Sequence, residues 1–230
     1  MHTLHLDLAV EFVSRWHTGA GEAGIVADRL IRRDARGWPY IPASTLKGVI
    51  RHHCEKLCRT LGFPEPCDPH LPDLSQTGRF VPLTSDLSPV ETLFGNNFQE
   101  GGLFFTDARL AAPLYREQWL ATRTQIHRAL RTVKAKHLFT TEYIRPLTLH
   151  TAIVGRHADL AVFEPGDIPF AYCLLVAAIL QIERLGGDKS CGSGQVKIIL
   201  VSPVRYNNQE VPLSQVFAYL DPEIIAASYA

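Results

Sequence analysis

Between Thr3 and Val13 apolar and polar positions alternate. Leu4, Leu6, Leu8, Val10 and Phe12 or Val13 fall on one side, with His5, Asp7 and Glu11 between them. A period of two marks a half-buried strand. Three glycines between 19 and 24 then mark a loop that lets the backbone approach a neighbour closely. Residues 25–34 read as a short strand or strand pair, and Asp34-Ala35-Arg36-Gly37 as a turn. After Pro39 and Pro42 the spacing becomes helical. Leu46, Val49 and Ile50 share one face, and Ser44 or Thr45 is placed to cap the first turn. The helix is expected to run from Ser44 to about Leu61, where Gly62 and Pro64 end it.

Residues 62–90 are rich in Pro, Asp and Ser and show no period, so they read as an inserted loop. Val90 to Gly95 is a short helical turn, and Gly101 to Leu110 a core strand. Residues 118–136 have weak helical or hairpin character. Two strand-like runs follow, 137–144 and 149–154, joined through Arg145-Pro146-Leu147-Thr148. The apolar run 169–185 is long and rich in Ala and Leu, which favours helix. A glycine-rich loop, 186–194, leads to a Val- and Ile-rich strand, 195–205. An apolar, acidic tail follows from Val211. The order strand, helix, strand, strand, helix, strand is the βαββαβ pattern of an α+β, ferredoxin-like (RRM-like) fold with long insertions. A length of 230 residues fits one such domain, 1–230.

Composition narrows the function classes. The formal net charge is zero, which gives no global pull toward nucleic acid or membrane. The charge is unevenly placed, however: residues 118–141 hold five Lys or Arg and no acid, which permits a local basic surface. The longest apolar-rich stretch, 170–182, is too short to span a bilayer. No signal-peptide pattern opens the chain, so a cytoplasmic protein without a membrane partner is expected. Five cysteines, an odd number, argue against a disulfide framework in such a protein.

Three stretches carry candidate chemistry. At the start of the 44–61 helix, Lys47 and Arg51 lie four apart on one face. With the first-turn N–H groups they make either an anion site or an ordinary solvated helix start. The loop 186–194 has four glycines and Lys189, and its N–H groups either wrap a phosphate or simply end a helix and turn. Cys54 and Cys58 share a helix face, and Cys67 and His70 follow as Cys-x2-His. With His53 as an alternative to His70, this set suits a tetrahedral structural zinc, against the simpler reading of buried free thiols.

In combination, Pro42-Ala43-Ser44-Thr45-Leu46-Lys47-Gly48-Val49-Ile50-Arg51, Leu93-Phe94-Gly95 and the 186–194 loop resemble the RAMP superfamily, the RNA-binding subunits of CRISPR interference complexes. The resemblance spans residues 4–204 or so. Ala43 stands where the family often has glycine. Within the superfamily the chain is similar to the repeated backbone subunit of type III complexes, which polymerises along guide RNA.

The resemblance implies guide CRISPR RNA, target RNA, other complex subunits and further copies of similar subunits as partners. It implies RNA contacts from Ser44, Thr45, Lys47, Arg51, Arg123, Arg128, Gly187, Lys189, Ser190, Gly192 and Gly194. It implies a thumb-like hairpin within 118–150. It also implies endoribonuclease cutting of target RNA through Asp28, with a divalent cation such as Mg. On the residues alone Asp28 serves equally as a turn cap or as a partner of Arg29, Arg32 or Arg33. Two alternatives stand beside the cutting subunit: a non-catalytic RNA scaffold, and a stand-alone guide-processing endoribonuclease. The latter would need a histidine acid or base that the sequence does not position.

Overall fold

The computed structural model describes residues 1–21, 23–24, 27–63, 87–96, 99–112, 118–162, 164 and 166–220, without the side chains of 135 and 136. The 62–90 insertion, with Cys67 and His70, therefore lies almost wholly outside the described residues.

Strand β1 (His2–Phe12) is the centre of a six-stranded sheet. On one edge it pairs antiparallel with β5 (Thr148–His157), which pairs in turn with β2 (Leu103–Phe105). Its other edge is shared end to end by β6 (Val196–Leu200) and β7 (Val204–Tyr206). A single strand was expected over 195–205. Pro203 interrupts it, because proline has no N–H to give the ladder. A tight turn with positive φ at Asn207 and Asn208 then leads to β8 (Gln209–Val211). The order β2-β5-β1-β6 with the intervening helices is the ferredoxin-like arrangement.

The alternation seen in sequence is realised in the sheet. Leu4, Leu6, Leu8, Val10 and Phe12 are buried on one face, joined by Leu149 and Ile153 of β5. Two helices cover that face. Helix α1 (Ala43–Thr60) buries Leu46, Ile50, Cys54 and Cys58 at helical spacing. It ends with Gly62 at φ 80°, and the Phe63 N–H donates to the Cys58 carbonyl at 2.9 Å. A short α2 (Pro89–Phe94) carries a capping box between Ser88 and Glu91. Helix α3 (Phe170–Leu180) is apolar all round and buried along almost its whole length. It stops five residues short of the expected end. The Leu185 N–H instead donates to Gly194 and the Val196 N–H to Glu183, which draws the chain out toward β6. A final α4 (Leu213–Ala218) closes the described chain.

Residues 137–144 and 149–154 do not share a sheet. The first run belongs to β4 (Thr132–Ile144), which pairs with β3 (Gln118–His127) in a separate two-stranded hairpin inserted between β2 and β5. Both faces of this hairpin are largely exposed beyond its base. No described helix is long and apolar enough to cross a membrane.

Candidate nucleic-acid interface

The base of the hairpin organises the site. Trp16 and Ile144 exchange backbone hydrogen bonds of 3.0 Å, and His17 Nδ1 donates to the Glu142 carbonyl at 2.8 Å. Residues 28–33 lie along the same edge of β4 as an extended arm, joined by a parallel bridge between Arg29 and Thr141. The Glu142 side chain, 5% exposed, ties this arm down: its carboxylate accepts from the Ile31 N–H at 2.9 Å and pairs with Arg33. Asp28 sits at the head of the arm and is exposed. Its N–H donates to the Thr140 carbonyl at 2.9 Å, and its Oδ2 accepts from the Thr140 N–H at 2.6 Å. The carboxylate is thus fixed by a backbone donor on the hairpin, not by Arg32 or Arg33.

The loop 186–194 docks against this base from the other side. A Cβ on Gly186 would lie 2.4 Å from the His17 carbonyl oxygen, and one on Gly194 2.0 Å from that of Leu185. Both glycines also have positive φ, so only glycine lets the backbones meet here. The Gly187 N–H donates to His17 and the Gly194 N–H to Arg15, each at 2.8 Å. These amides therefore hold the loop to the body rather than facing a phosphate. Lys189, Ser190 and Gly192 stay exposed at the tip.

Asp188 collects what surrounds it. The Tyr143 hydroxyl donates to it, Arg123 lies at 3.4 Å and Arg29 at 3.7 Å. Burial raises the Tyr143 pKa, and the bond to Asp188 adds to this. Arg15 stacks 4.7 Å from the ring centroids of both Trp119 and Tyr143, and its Nε donates to Ser193 Oγ at 3.2 Å. Arg29 lies 5.7 Å over Phe139. The result is a row of Trp119, Arg15, Tyr143, Arg123, Arg29 and Phe139, with two guanidiniums beside one carboxylate and a third over the Tyr143 ring. Arg128 is exposed in the turn at the hairpin tip.

Helix α1 begins differently from expectation. Its N-cap residue is Pro42, and neither Ser44 nor Thr45 caps it. The Ala43 N–H donates instead to Asp107 Oδ1 at 2.9 Å, so a carboxylate from beyond β2 already meets the helix dipole. Arg51 donates through Nε to Glu55 at 3.0 Å and through Nη1 to the Gly95 carbonyl at 3.3 Å, and its side chain is 16% exposed. This joins the helix to the Leu93-Phe94-Gly95 turn. Lys47 is partly exposed. Farther along, the His53 pKa is lowered first by burial, then by Lys56, His52 and Lys189, with Glu183 acting against them.

Cys54 and Cys58 point into the core. Burial pushes the Cys54 thiol well up and the Cys58 thiol to about 11. Among the described residues no three His, Cys, Asp or Glu side chains are grouped to hold a metal.

Arg15, Glu142, Tyr143 and Asp107 were not singled out from sequence. The one available signal was Glu142, the first acid after a basic run with no acid of its own.

Comparison with protein families decides what the chain is related to. The model of the RAMP superfamily matches residues 9–197. The chain belongs to the RAMP superfamily. No curated protein matches it in sequence. Among solved structures, this RAMP protein is similar to a chain of the type III-B Cmr-beta cryo-EM structure bound to cognate target RNA. The identity is 18%, the TM-score 0.58, and the match covers 89% of this chain and 60% of that one. A chain of the type III-B Cmr-beta apo structure matches at 13% identity and TM-score 0.58, covering 86% of this chain and 97% of that one. At these identities the likeness shows the fold. The chain spans about 60% of the length of the first neighbour.

Proposed function

We propose that this RAMP protein is a guide-RNA-binding backbone subunit of a type III CRISPR effector complex, and that it cuts bound target RNA through Asp28. Its partners would be guide CRISPR RNA, target RNA, other subunits and further copies of similar chains. The observation that carries the reading is the placement of Asp28. An exposed carboxylate, oriented by a backbone N–H of the hairpin, stands beside a row of arginines and aromatic rings. The accessible members of this row suit a polyanion whose bases are unpaired: guanidiniums meet phosphates and the Trp119 and Phe139 rings stack bases, whereas the Tyr143 ring is buried. Contacts of this kind hold RNA without reading its sequence, as a subunit serving any guide requires. The structural neighbours, one of them bound to cognate target RNA, support the same class.

Cleavage of RNA needs its 2′-hydroxyl deprotonated and aligned with the scissile phosphate. Asp28 is suited to accept that proton because the Thr140 amide engages Oδ2 and fixes the carboxylate plane. Arg29, the next residue, lies where it can meet the phosphate charge. A magnesium ion, if bound here, would take Asp28 as its carboxylate ligand and would supply charge stabilisation at the phosphate.

The test is Asp28→Asn in the assembled complex with guide. Asparagine keeps the acceptor for the Thr140 N–H but cannot take a proton. Cutting of target RNA should fall at least a hundredfold, in the range of a lost general base, while guide binding is unchanged. Undiminished cutting by the variant removes Asp28 from the reaction. A wild-type complex that never cuts with divalent metal present makes the subunit a scaffold.

A further inference from the structure

The arm that carries Asp28 continues into a rigid turn. Asp34 Oδ1 accepts from the N–H groups of Arg36 and Trp38, each at 2.9 Å, and the Gly37 N–H donates to the Asp34 carbonyl at 2.8 Å. Between this turn and the chain around Arg109 lies a cavity of about 530 Å³. The RNA path proposed above does not use it.

Its walls carry two aromatic rings and three guanidiniums. Arg36 lies 5.5 Å over the Trp38 ring, and Arg109 5.0 Å over Tyr40. Arg109 is held by Asp34 at 3.3 Å and by Asp107 at 2.7 Å. Arg33 is held by Glu142 and by the Gly37 carbonyl. Arg36 is exposed, and among the described residues no carboxylate lies within ion-pair distance of it. The cavity thus offers two rings, each with a guanidinium over one face, one cation without an ion-pair partner among the described residues, and a volume within the range of small-ligand sites.

We infer that this cavity is a nucleotide subsite, in which one unpaired RNA base stacks on the Trp38–Tyr40 wall and its phosphate is met by Arg36. Aromatic faces and arginine together are how proteins hold splayed-out bases of single-stranded RNA. The subsite rests on the RNA-binding reading and deepens it. Arg33, on its rim, reaches Glu142 and Gln118 at the hairpin base, and Glu142 is two residues along β4 from the Thr140 that holds Asp28. One arm therefore carries both the carboxylate and the subsite. A nucleotide held here neighbours the one presented to Asp28 and sets the register of the strand.

The experiment uses the full chain with Trp119→Phe. Trp16 is fully buried, so Trp38 becomes the accessible indole. Indole fluorescence is followed during titration with a 5′-phosphorylated tetraribonucleotide, with uridine monophosphate and with inorganic phosphate. The tetranucleotide and the mononucleotide should quench saturably, and inorganic phosphate at equal concentration should not. Arg36→Glu, on an exposed turn, should weaken tetranucleotide binding about tenfold, and Trp38→Ala, which removes the reporting indole and is read by anisotropy of a labelled tetranucleotide, by a comparable factor, as expected for loss of one stacked base. Equal quenching by phosphate overturns the subsite, leaving an anion site that holds no base. Binding of the tetranucleotide by anisotropy without quenching removes the subsite and leaves the RNA-binding reading intact. Quenching that persists in a chain whose complex never cuts RNA upholds the subsite while the cutting role of Asp28 fails.

Discussion

The start of α1 and the glycine loop look alike as sequence. Each combines small residues, hydroxyls and cations, and each promises an anion site. The fold treats them differently. At α1, Asp107 meets the free N–H of Ala43, and Arg51 is taken by Glu55 and the Gly95 carbonyl. At the hairpin base, Arg29 and Arg123 share Asp188, Arg15 stacks over Tyr143 and gives its Nε to Ser193, and Lys189 stays exposed beside them. Where cations outnumber their carboxylates, a polyanion gains most. On the RNA-binding reading proposed above, the balance of partners, not the motif, separates a structural end from a binding surface.

Glu142→Ala removes the acceptor of the Ile31 N–H and the partner of Arg33. Loss of one member of a buried ion pair costs about 3–5 kcal/mol, and the partial exposure of Arg33 brings the expected loss to about 2 kcal/mol. Urea unfolding should show that loss. Hydrogen exchange should speed at Ile31 while the middle of α1 is unchanged. An unaltered Ile31 amide would mean that the arm is held by its backbone bonds alone.

A paired substitution sharpens the comparison. Arg123→Ala should weaken single-stranded RNA binding several-fold and lower the salt slope by about 0.7, the loss of one phosphate contact. Arg51→Ala should leave the slope unchanged and lower stability by about 1 kcal/mol through its lost hydrogen bonds. Equal salt slopes for the two variants would return Arg51 to the RNA surface.

The difference also explains what was legible. The alternation of Leu4 to Phe12 and the helical spacing of Leu46, Ile50, Cys54 and Cys58 report a local period, and a local period survives folding. The separation of β4 from β5 was not visible, because both are strand-like and only tertiary pairing assigns each to its sheet. The Asp107 cap and the Glu142 tie join residues 64 and 111 positions apart, and no local pattern encodes such a pair. The glycines of 186–194 were visible as a loop, but their reason, close contact with His17 and Leu185, lies in another part of the chain.

A smaller effect comes with pH. Burial lowers the pKa of His157, whose Nδ1 bonds the Tyr172 hydroxyl at 2.8 Å, and burial also lowers His2 and His53. These rings take up protons less readily in the fold than in the unfolded chain, which is protonated at its histidines below about pH 6.5. The unfolded state then binds more protons, so stability falls as pH drops from 6.5 toward 5. The urea midpoint should follow that direction, and His157→Gln should flatten it. A flat wild-type profile would show that these histidines take up protons as readily in the fold as in the unfolded chain.

The smallest expected effect concerns metal. A structural zinc on Cys54, Cys58, Cys67 and His70, or with His53 in place of His70, requires thiolates, since zinc binds the deprotonated sulfur. Cys54 and Cys58 lie inside the apolar core, where burial favours the neutral thiol. For Cys58 the nearby Ser88 hydroxyl and Val90 amide offset that burial only in part. We therefore expect purified protein to hold less than half an equivalent of zinc and to keep its urea midpoint in the presence of a chelator. One full equivalent, lost together with stability in Cys58→Ser, would reverse this. It would also mean that the α1 cysteines act as ligands that tie residues 64–86 to the helix, rather than as small apolar groups filling its inner face.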